Sequence, residues 1–241
     1  MGVVSIGNPE AGATTAAMPL SQRLREETRE RHEKVEHAAV INRFIVVKVP
    51  SPDTAGSAPE RDARERALAE YREVYRLFLV SAHGFEAAVL DRLAASPVLE
   101  QARSSGWADE ATPSTALIRD DLASVFGPGS ADRLPAMDGL PEIRTLADWA
   151  GMEYVRRGSR AGGAVIGAVV THNLGFTREA GASFLQQYGK DTRRVLVAFK
   201  AWVDSLPLSE TESRDAVTSA NATFLAVERW HRHLERTLIR K

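Results

Sequence analysis

The chain has 241 residues, of which 44% are hydrophobic and 26% are charged, a composition typical of one globular domain. It contains no cysteine, which excludes disulfides, thiolate metal sites, iron–sulfur clusters and cysteine nucleophiles. The net charge of −1 argues against a protein built to bind nucleic acid. No apolar run approaches the roughly 20 residues that a membrane-spanning helix requires, so no membrane contact is expected.

The first 18 residues are small and polar, and they lack the charged start and apolar core of a secretion signal. We therefore predict a disordered tail over residues 1–18 and a single domain over residues 19–241. The absence of cysteine is consistent with a reducing compartment, and we expect the protein in the cytoplasm. We take a monomer as the default oligomeric state.

From Leu20 onward, hydrophobic residues recur with a period of about 3.6, and the alternation typical of strands is scarce. Stretches rich in Pro, Gly and Ser predict loops over residues 49–59 and 127–141. Thr112 before Pro113 predicts a helix start with the proline in the first turn, and Ser209 with Glu212 has capping-box spacing. The pattern predicts an all-α fold of seven or eight helices. These cover residues 20–42, 61–93, 112–126, 143–173, 178–187, 191–205 and 209–238, with another start near Pro97.

The first predicted helix carries a polar stripe that contains a histidine. At about 100° per residue, Arg25, Arg29, His32 and Glu36 fall within one narrow stripe at the edge of the apolar face. A neutral imidazole in this place could ligate a metal, and the arginines could pair with carboxylates of a ligand. Taken alone, the stripe favours a simpler interpretation, in which His32 is a border histidine and the arginines are solvated.

Four glycines fall within ten residues of the predicted helix over 143–173, starting at Gly158. Each glycine inside a helix costs about 0.5–1 kcal/mol relative to alanine, so this pattern requires a reason. Gly158 and Gly162 share a face and would let a flat ligand approach the helix backbone. Two other interpretations stay open, namely close packing against a second helix and a loop between two shorter helices.

Both segments together match one known family. Residues 24–36 resemble the proximal helix of heme oxygenases, in which a Leu-Arg…Thr-Arg…His…Glu pattern carries the axial histidine. Residues 154–166 resemble the glycine-rich distal helix of bacterial members, Tyr-Val-x-x-Gly-Ser-x-x-Gly-Gly-x-x-Ile. Weaker likeness at residues 83–86, 117–122 and 222–224 extends the resemblance from about Leu20 to about Leu238. It implies a single-domain, heme-oxygenase-like multi-helical bundle with heme between a proximal and a distal helix.

The resemblance also implies a role for each matching residue. His32 would be the axial ligand of the heme iron, and Glu36 would accept a hydrogen bond from its other ring nitrogen. Gly158, Ser159 and Gly162 would serve catalysis on the distal side, although Ser159 stands where animal enzymes have an aspartate. The implied heme contacts are Arg25, Arg29, His32, Glu36, Tyr154, Gly158, Gly162, Gly163, Arg193 (or Arg194) and Lys200. For the four distant cations, simple surface solvation is an equal alternative.

The implied activity is cleavage of heme b, which is both cofactor and substrate, with O2 and electrons to biliverdin, carbon monoxide and ferrous iron. The implied partners are an electron donor such as ferredoxin or a ferredoxin reductase (ascorbate in vitro) and a bacteriophytochrome as biliverdin acceptor. Three alternatives stay open. They are a heme carrier or sensor without turnover, a non-heme member of the same helical superfamily that acts on a thiamine-type or quinone-type molecule or uses a di-metal site, and a helical interaction module.

The other histidines receive structural interpretations. We expect His83 and His172 to serve packing or capping, and His231 and His233 to be exposed near the chain end. Arg156, Arg157 and Arg160 make the glycine segment basic, and they could pair with carboxylates of a ligand or partner or simply face water.

Overall fold

The computed structural model describes residues 18–37, 39–51, 57–107 and 113–239, and these residues form nine α-helices without a β-strand. The helices are α1 (Leu20–Glu27), α2 (Arg29–Glu36), α3 (Ala39–Val46), α4 (Ala58–Ala94), α5 (Leu99–Ser104), α6 (Ser114–Phe126), α7 (Leu146–Leu174), α8 (Thr192–Ser205) and α9 (Glu210–Leu234). A 3₁₀ turn, Gly189–Asp191, precedes α8, and a π-helical turn, Glu235–Ile239, continues α9. The all-α prediction is confirmed.

The predicted single helix over residues 20–42 is wrong, because this segment forms α1, α2 and α3 in succession. Thr28 separates α1 from α2 with φ −106° and ψ −1°. Its hydroxyl group donates a hydrogen bond of 2.6 Å to the carbonyl oxygen of Leu24, four residues earlier. Such back-bonding competes with the helical backbone bond and bends helices. The polar stripe therefore runs across a break in the helix.

The predicted helix over residues 178–187 is also wrong, because this segment forms turns with isolated bridges. Gly181 adopts φ +86°, which no α-helix accepts. The backbone N–H groups of Ser183 and Phe184 donate to the carboxylate of Asp121 on α6, at 2.8 and 2.9 Å. The hydroxyl group of Tyr75 on α4 donates to the Gly181 carbonyl oxygen at 2.6 Å. Side chains of other helices thus replace the helical hydrogen bonds here.

Several helix ends follow their capping residues. The Ser209–Glu212 capping box opens α9 as predicted. α4 begins at Ala58, three residues before its predicted start, because Ser57 and Glu60 form a second capping box. α6 begins at Ser114, so Pro113 precedes the helix instead of occupying its first turn. Thr112, residues 52–56 of the predicted loop and residues 1–17 of the predicted tail lie outside the described residues.

The centre of the molecule is built on α4, α7 and α9. At Gly151 on α7, an added Cβ would lie 2.1 Å from the carbonyl oxygen of Ala216 on α9, so only glycine permits this approach. Trp230 on α9 packs over Gly84 on α4, and its indole N–H donates to the Ser81 carbonyl oxygen at 3.1 Å. Among the described helices, none is both long and apolar enough to cross a membrane.

Candidate functional site

A cavity of about 490 Å³ lies between α2, α3, α4, α7 and α9. This volume falls within the range of small-molecule sites. Its wall is mostly apolar, with aromatic side chains from α4 and α9 such as Phe78, Phe85 and Phe224. Ser159 and Gly162 on α7 line the cavity and are exposed, so they lie at its opening. The shape and lining suit a largely apolar ligand.

His32 and Glu36 on α2 both line this cavity. Nδ1 of His32 lies 3.6 Å from Oε1 of Glu36, slightly beyond hydrogen-bond distance. The His32 ring packs edge-on against Phe224 of α9, with 5.6 Å between the ring centroids. The side chain of His32 is 46% exposed, so its position depends on few protein contacts. Nδ1 therefore lies beside a carboxylate without a hydrogen bond to it, and the role of His32 as a metal ligand stays a prediction.

The four glycines of α7 from Gly158 to Gly167 divide into two groups. A Cβ added at Gly158 or Gly162 would meet no atom within 4 Å, and both residues line the cavity. A Cβ at Gly163 or Gly167 would instead touch Leu185 at 3.4 or 3.3 Å. α7 is continuous through this region, so the loop interpretation is wrong. The open backbone at Gly158 and Gly162 can receive a flat ligand. Gly163 also lines the cavity, so its predicted contact with heme stays a prediction, and Gly167 packs on Leu185 outside the cavity lining.

A buried group of charges lies behind the cavity wall. Arg156 donates to Glu86 on α4 at 2.9 Å and to Glu153 at 3.0 Å, and all three side chains are at most 1% exposed. Arg160 donates to Glu86 at 2.7 Å, and this second pair lines the cavity. Arg157 donates to Glu153 at 2.5 Å. The interpretation of these three arginines as water-facing is wrong.

These contacts keep the group ionised. Burial by itself raises the pKa of Glu86, but the positive charges of Arg156 and Arg160 outweigh burial and hold this pKa below its ordinary value. Burial likewise disfavours the charged form of Arg156, and the carboxylates of Glu153 and Glu86 raise its pKa above the usual value. Glu86 and Arg160 are thus a charged pair in the wall of an apolar cavity. In the sequence, this pair could have been found as an acidic residue on α4 and a basic residue on α7 that each fall on an otherwise apolar helix face.

Ser159 directs its hydroxyl group toward its own helix. The hydroxyl donates a hydrogen bond of 2.8 Å to the carbonyl oxygen of Arg156. The serine oxygen retains lone pairs that can accept a hydrogen bond from a water molecule in the cavity. Ser159 can therefore hold a water molecule, but in this rotamer its proton is already used.

The remaining predicted heme contacts lie elsewhere. Arg25, Arg29, Arg193 and Lys200 are exposed, and in the described structure none of them lines the cavity. Tyr154 is half-buried and faces α1 and the α1–α2 break. Burial raises the pKa of Tyr154, while a hydrogen bond with Thr28 and the charge of Arg25 act in the opposite direction. Roles for these five residues in ligand binding stay predictions.

His231 was missed as a cavity residue. It was expected to be exposed, but it is 6% exposed and lines the cavity from α9, so that expectation is wrong. Phe224, Val227 and His231 recur at helical spacing along the apolar face of α9, which is the signal that could have placed it. Across the described ranges, no three His, Asp or Glu side chains converge as a metal-binding cluster.

No protein-family model and no curated relative matches the sequence. Solved structures match over nearly the whole chain. Heme oxygenase-1 from the cyanobacterium Synechocystis, in complex with heme, has a TM-score of 0.64 and 15% identity, covering 92% of this chain and 95% of that chain. Heme oxygenase from Leptospira interrogans has a TM-score of 0.63 and 17% identity, covering 90% and 100%. NO- and CO-bound heme oxygenase from Neisseria meningitidis has a TM-score of 0.62 and 18% identity, covering 90% and 92%.

These similarities show that the chain has the fold of the bacterial heme oxygenases. The predicted fold class, an all-α bundle like that of the heme oxygenases, is confirmed. The likeness of the fold covers the helices that carry the cavity.

Proposed function

We propose that this chain is a heme oxygenase, which binds heme b in the cavity and cleaves it with O2 and electrons to biliverdin, carbon monoxide and ferrous iron. One observation carries the proposal. His32 on α2 and the open glycines Gly158 and Gly162 on α7 line the same apolar cavity from two different helices. Two of the solved proteins with this fold, both from Synechocystis, are described in complex with heme, which supports the same ligand here.

On the proximal side, His32 would hold the iron through Nε2. Glu36 would accept a hydrogen bond from Nδ1 after a small movement from the present 3.6 Å. A carboxylate in this place fixes the tautomer of a ligating imidazole and raises its basicity. The bound heme would supply the redox chemistry and the site for O2.

On the distal side, Gly158 and Gly162 would let the ring and a small gas molecule lie against helix backbone. Ser159 would accept a hydrogen bond from a water molecule, which places a proton source beside the opening of the cavity. The pair of Glu86 and Arg160 would provide a charged, preorganised wall nearby. Oriented dipoles and charges of this kind need little reorganisation when charge develops during a reaction.

The exposed cations would act at the rim. We propose that Arg25, Arg29, Arg193 and Lys200 reach the propionates of heme with their long side chains, and that Tyr154 supports the proximal break. Electrons would come from ferredoxin or a ferredoxin reductase. A bacteriophytochrome would receive biliverdin, and the reaction would take place in the cytoplasm in a monomeric protein.

The test is an absorption titration of the purified protein with hemin, followed by ascorbate or a ferredoxin system under air. We expect a Soret band that saturates at one heme per chain and then declines while biliverdin absorption grows. His32→Ala should change the Soret band and suppress turnover. His172→Ala, an exposed histidine of α7, is the matched control and should behave like wild type.

Two other outcomes have definite meanings. A stable Soret band without biliverdin would indicate a heme carrier or sensor of the same fold. Absence of any heme complex would contradict the proposal and favour a non-heme function of this fold.

A further inference from the structure

His231 is a buried histidine in the cavity wall that the proposed reaction does not use. It lies on α9, two helical turns beyond Phe224 and on the same face. Its Nδ1 is buried, and among the described residues this atom has no hydrogen-bond partner. An unpaired polar atom in a protein interior costs free energy and calls for a specific explanation.

The state of this ring defines what it can bind. Burial lowers the pKa of His231 to about 4, so the imidazole is neutral at pH 7. A neutral imidazole has one N–H donor and one acceptor nitrogen. His233, two residues further, is exposed and stacked on Trp230, so it offers nothing comparable to the cavity.

The position of α9 indicates which part of a ligand His231 meets. α2 and α7 carry the two walls that would face a flat molecule, and α9 packs against both helices. Residues of α9 therefore face the edge of such a molecule. Phe224 packs on His32, and seven residues along a helix correspond to about 10 Å. His231 would thus lie near the periphery of a ring bound in the cavity, about 10 Å along α9 from the residue that contacts His32.

The polar atoms at the edge of a tetrapyrrole are oxygens. Heme carries two carboxylates, and the open-chain product carries two lactam carbonyls. The four cations proposed to reach the heme carboxylates would do so from the rim, whereas His231 lies in the lining of the cavity itself in the described structure. An N–H group of a neutral imidazole is a suitable donor to either kind of oxygen.

We propose that His231 binds the tetrapyrrole by donating an N–H hydrogen bond to an oxygen atom at the edge of the ring, either a heme carboxylate or a lactam carbonyl of the product. This inference rests on the proposed function and adds a ligand-binding residue to the same site.

The test compares four probes, namely hemin, hemin dimethyl ester, biliverdin and biliverdin dimethyl ester. Their dissociation constants are measured for wild type, His231→Phe, His231→Gln and the exposed control His172→Phe. His231→Phe keeps a ring but loses the donor, and we expect binding of the recognised probe to weaken by about 5- to 100-fold, the effect of one buried hydrogen bond. His231→Gln keeps an N–H donor and should restore much of this affinity.

The pattern across probes identifies the oxygen. If the acceptor is a carboxylate, His231→Phe weakens the two free acids and leaves both esters nearly unchanged. If the acceptor is a lactam carbonyl, both forms of biliverdin weaken and both forms of hemin do not. Unchanged affinity of His231→Phe for all four probes would overturn the inference.

A measurement on the unmodified protein guards against misfolding of the variants. With ¹⁵N-labelled histidine, the imidazole resonances of His231 should shift when biliverdin or diamagnetic zinc protoporphyrin binds. If they do not move with either ligand, no hydrogen bond forms and the inference is wrong. Failure of wild type to bind hemin would instead overturn the proposed function itself, so the two failures are distinguishable.

Discussion

α2 and α7 face the same cavity, but α2 buries none of its eight residues, whereas α7 buries fourteen of its twenty-nine. The side-chain pair on α2, His32 with Glu36, is 46% and 57% exposed. The charged pair between α7 and α4, Arg156 with Glu86, is 1% exposed on both sides. A glutamate thus has an exposed partner on one wall and a fully buried partner on the other.

This difference separates binding from stability. A side chain of α2 can be changed with little effect on the folded protein, because none of the eight is buried. A side chain of α7 supports the core as well as the cavity, so its loss affects both. Substitutions on α2 should therefore change ligand affinity but not the unfolding free energy, whereas substitutions of buried α7 residues should lower the unfolding free energy as well.

The largest effect is expected for Arg156→Met. This change removes one of the two arginines that pair with each of the buried carboxylates Glu86 and Glu153, and breaking a buried ion pair costs about 3–5 kcal/mol. Urea unfolding measures the loss. Lys34→Met, which removes an exposed pair with Glu30 on α2, is the control and should leave the midpoint unchanged. Equal midpoints for both variants would contradict the contrast between the walls.

A pH-dependent loss of stability should follow from His231, which is buried in the cavity wall on α9. Its pKa is depressed to about 4 in the folded protein from an ordinary 6.5, so between these values the unfolded state binds the extra proton. Its contribution is therefore complete above pH 6.5 and is lost as the pH falls towards 4, by roughly 3 kcal/mol. The unfolding free energy of His231→Phe should fall less steeply over this window than that of wild type. If the unfolding free energies of the two proteins fall in parallel as the pH is lowered, the pKa of His231 is not depressed by burial.

Two glycines of α7 should respond in opposite ways to the same change. Gly151→Ala forces a Cβ against the Ala216 carbonyl oxygen and should cost about 1–3 kcal/mol. Gly158→Ala has open space and should gain up to about 1 kcal/mol, while the methyl group enters the cavity and weakens hemin binding. Thermal unfolding and a hemin titration of both variants test this. Unaltered hemin affinity in Gly158→Ala would mean that the ligand does not lie on this backbone.

The smallest effect on stability is expected for His32→Ala. As a half-exposed residue on a helix without buried side chains, it should change the unfolding free energy by no more than about 0.5 kcal/mol. The heme complex should nevertheless lose the spectroscopic signature of an imidazole ligand. A large loss of stability together with an unchanged Soret band would show that His32 is a packing residue.

Sequence reasoning reached the residues whose pattern is local. The stripe through His32, the glycine spacing and the Ser209–Glu212 capping box all depend on the helical repeat, and the structure shows His32 and the glycines on one cavity. Sequence reasoning failed where residues far away in the chain determine the local backbone conformation. The segment over 178–187 has a helical pattern, but Asp121 and Tyr75 bind its backbone in turns.

The sequence by itself determined the all-α class, the helical conformation at His32 and at the glycines, and the absence of thiolate chemistry, because each follows from periodicity or composition. Only the tertiary structure decided which glycines face open space and which face Leu185 or Ala216, since this depends on the neighbouring helix. Burial of His231 and of the arginine–glutamate group was decided in the same way. A charged or titratable residue is stable inside a protein when partners from other helices, or a bound ligand, meet its polar atoms, and a linear pattern does not contain those partners.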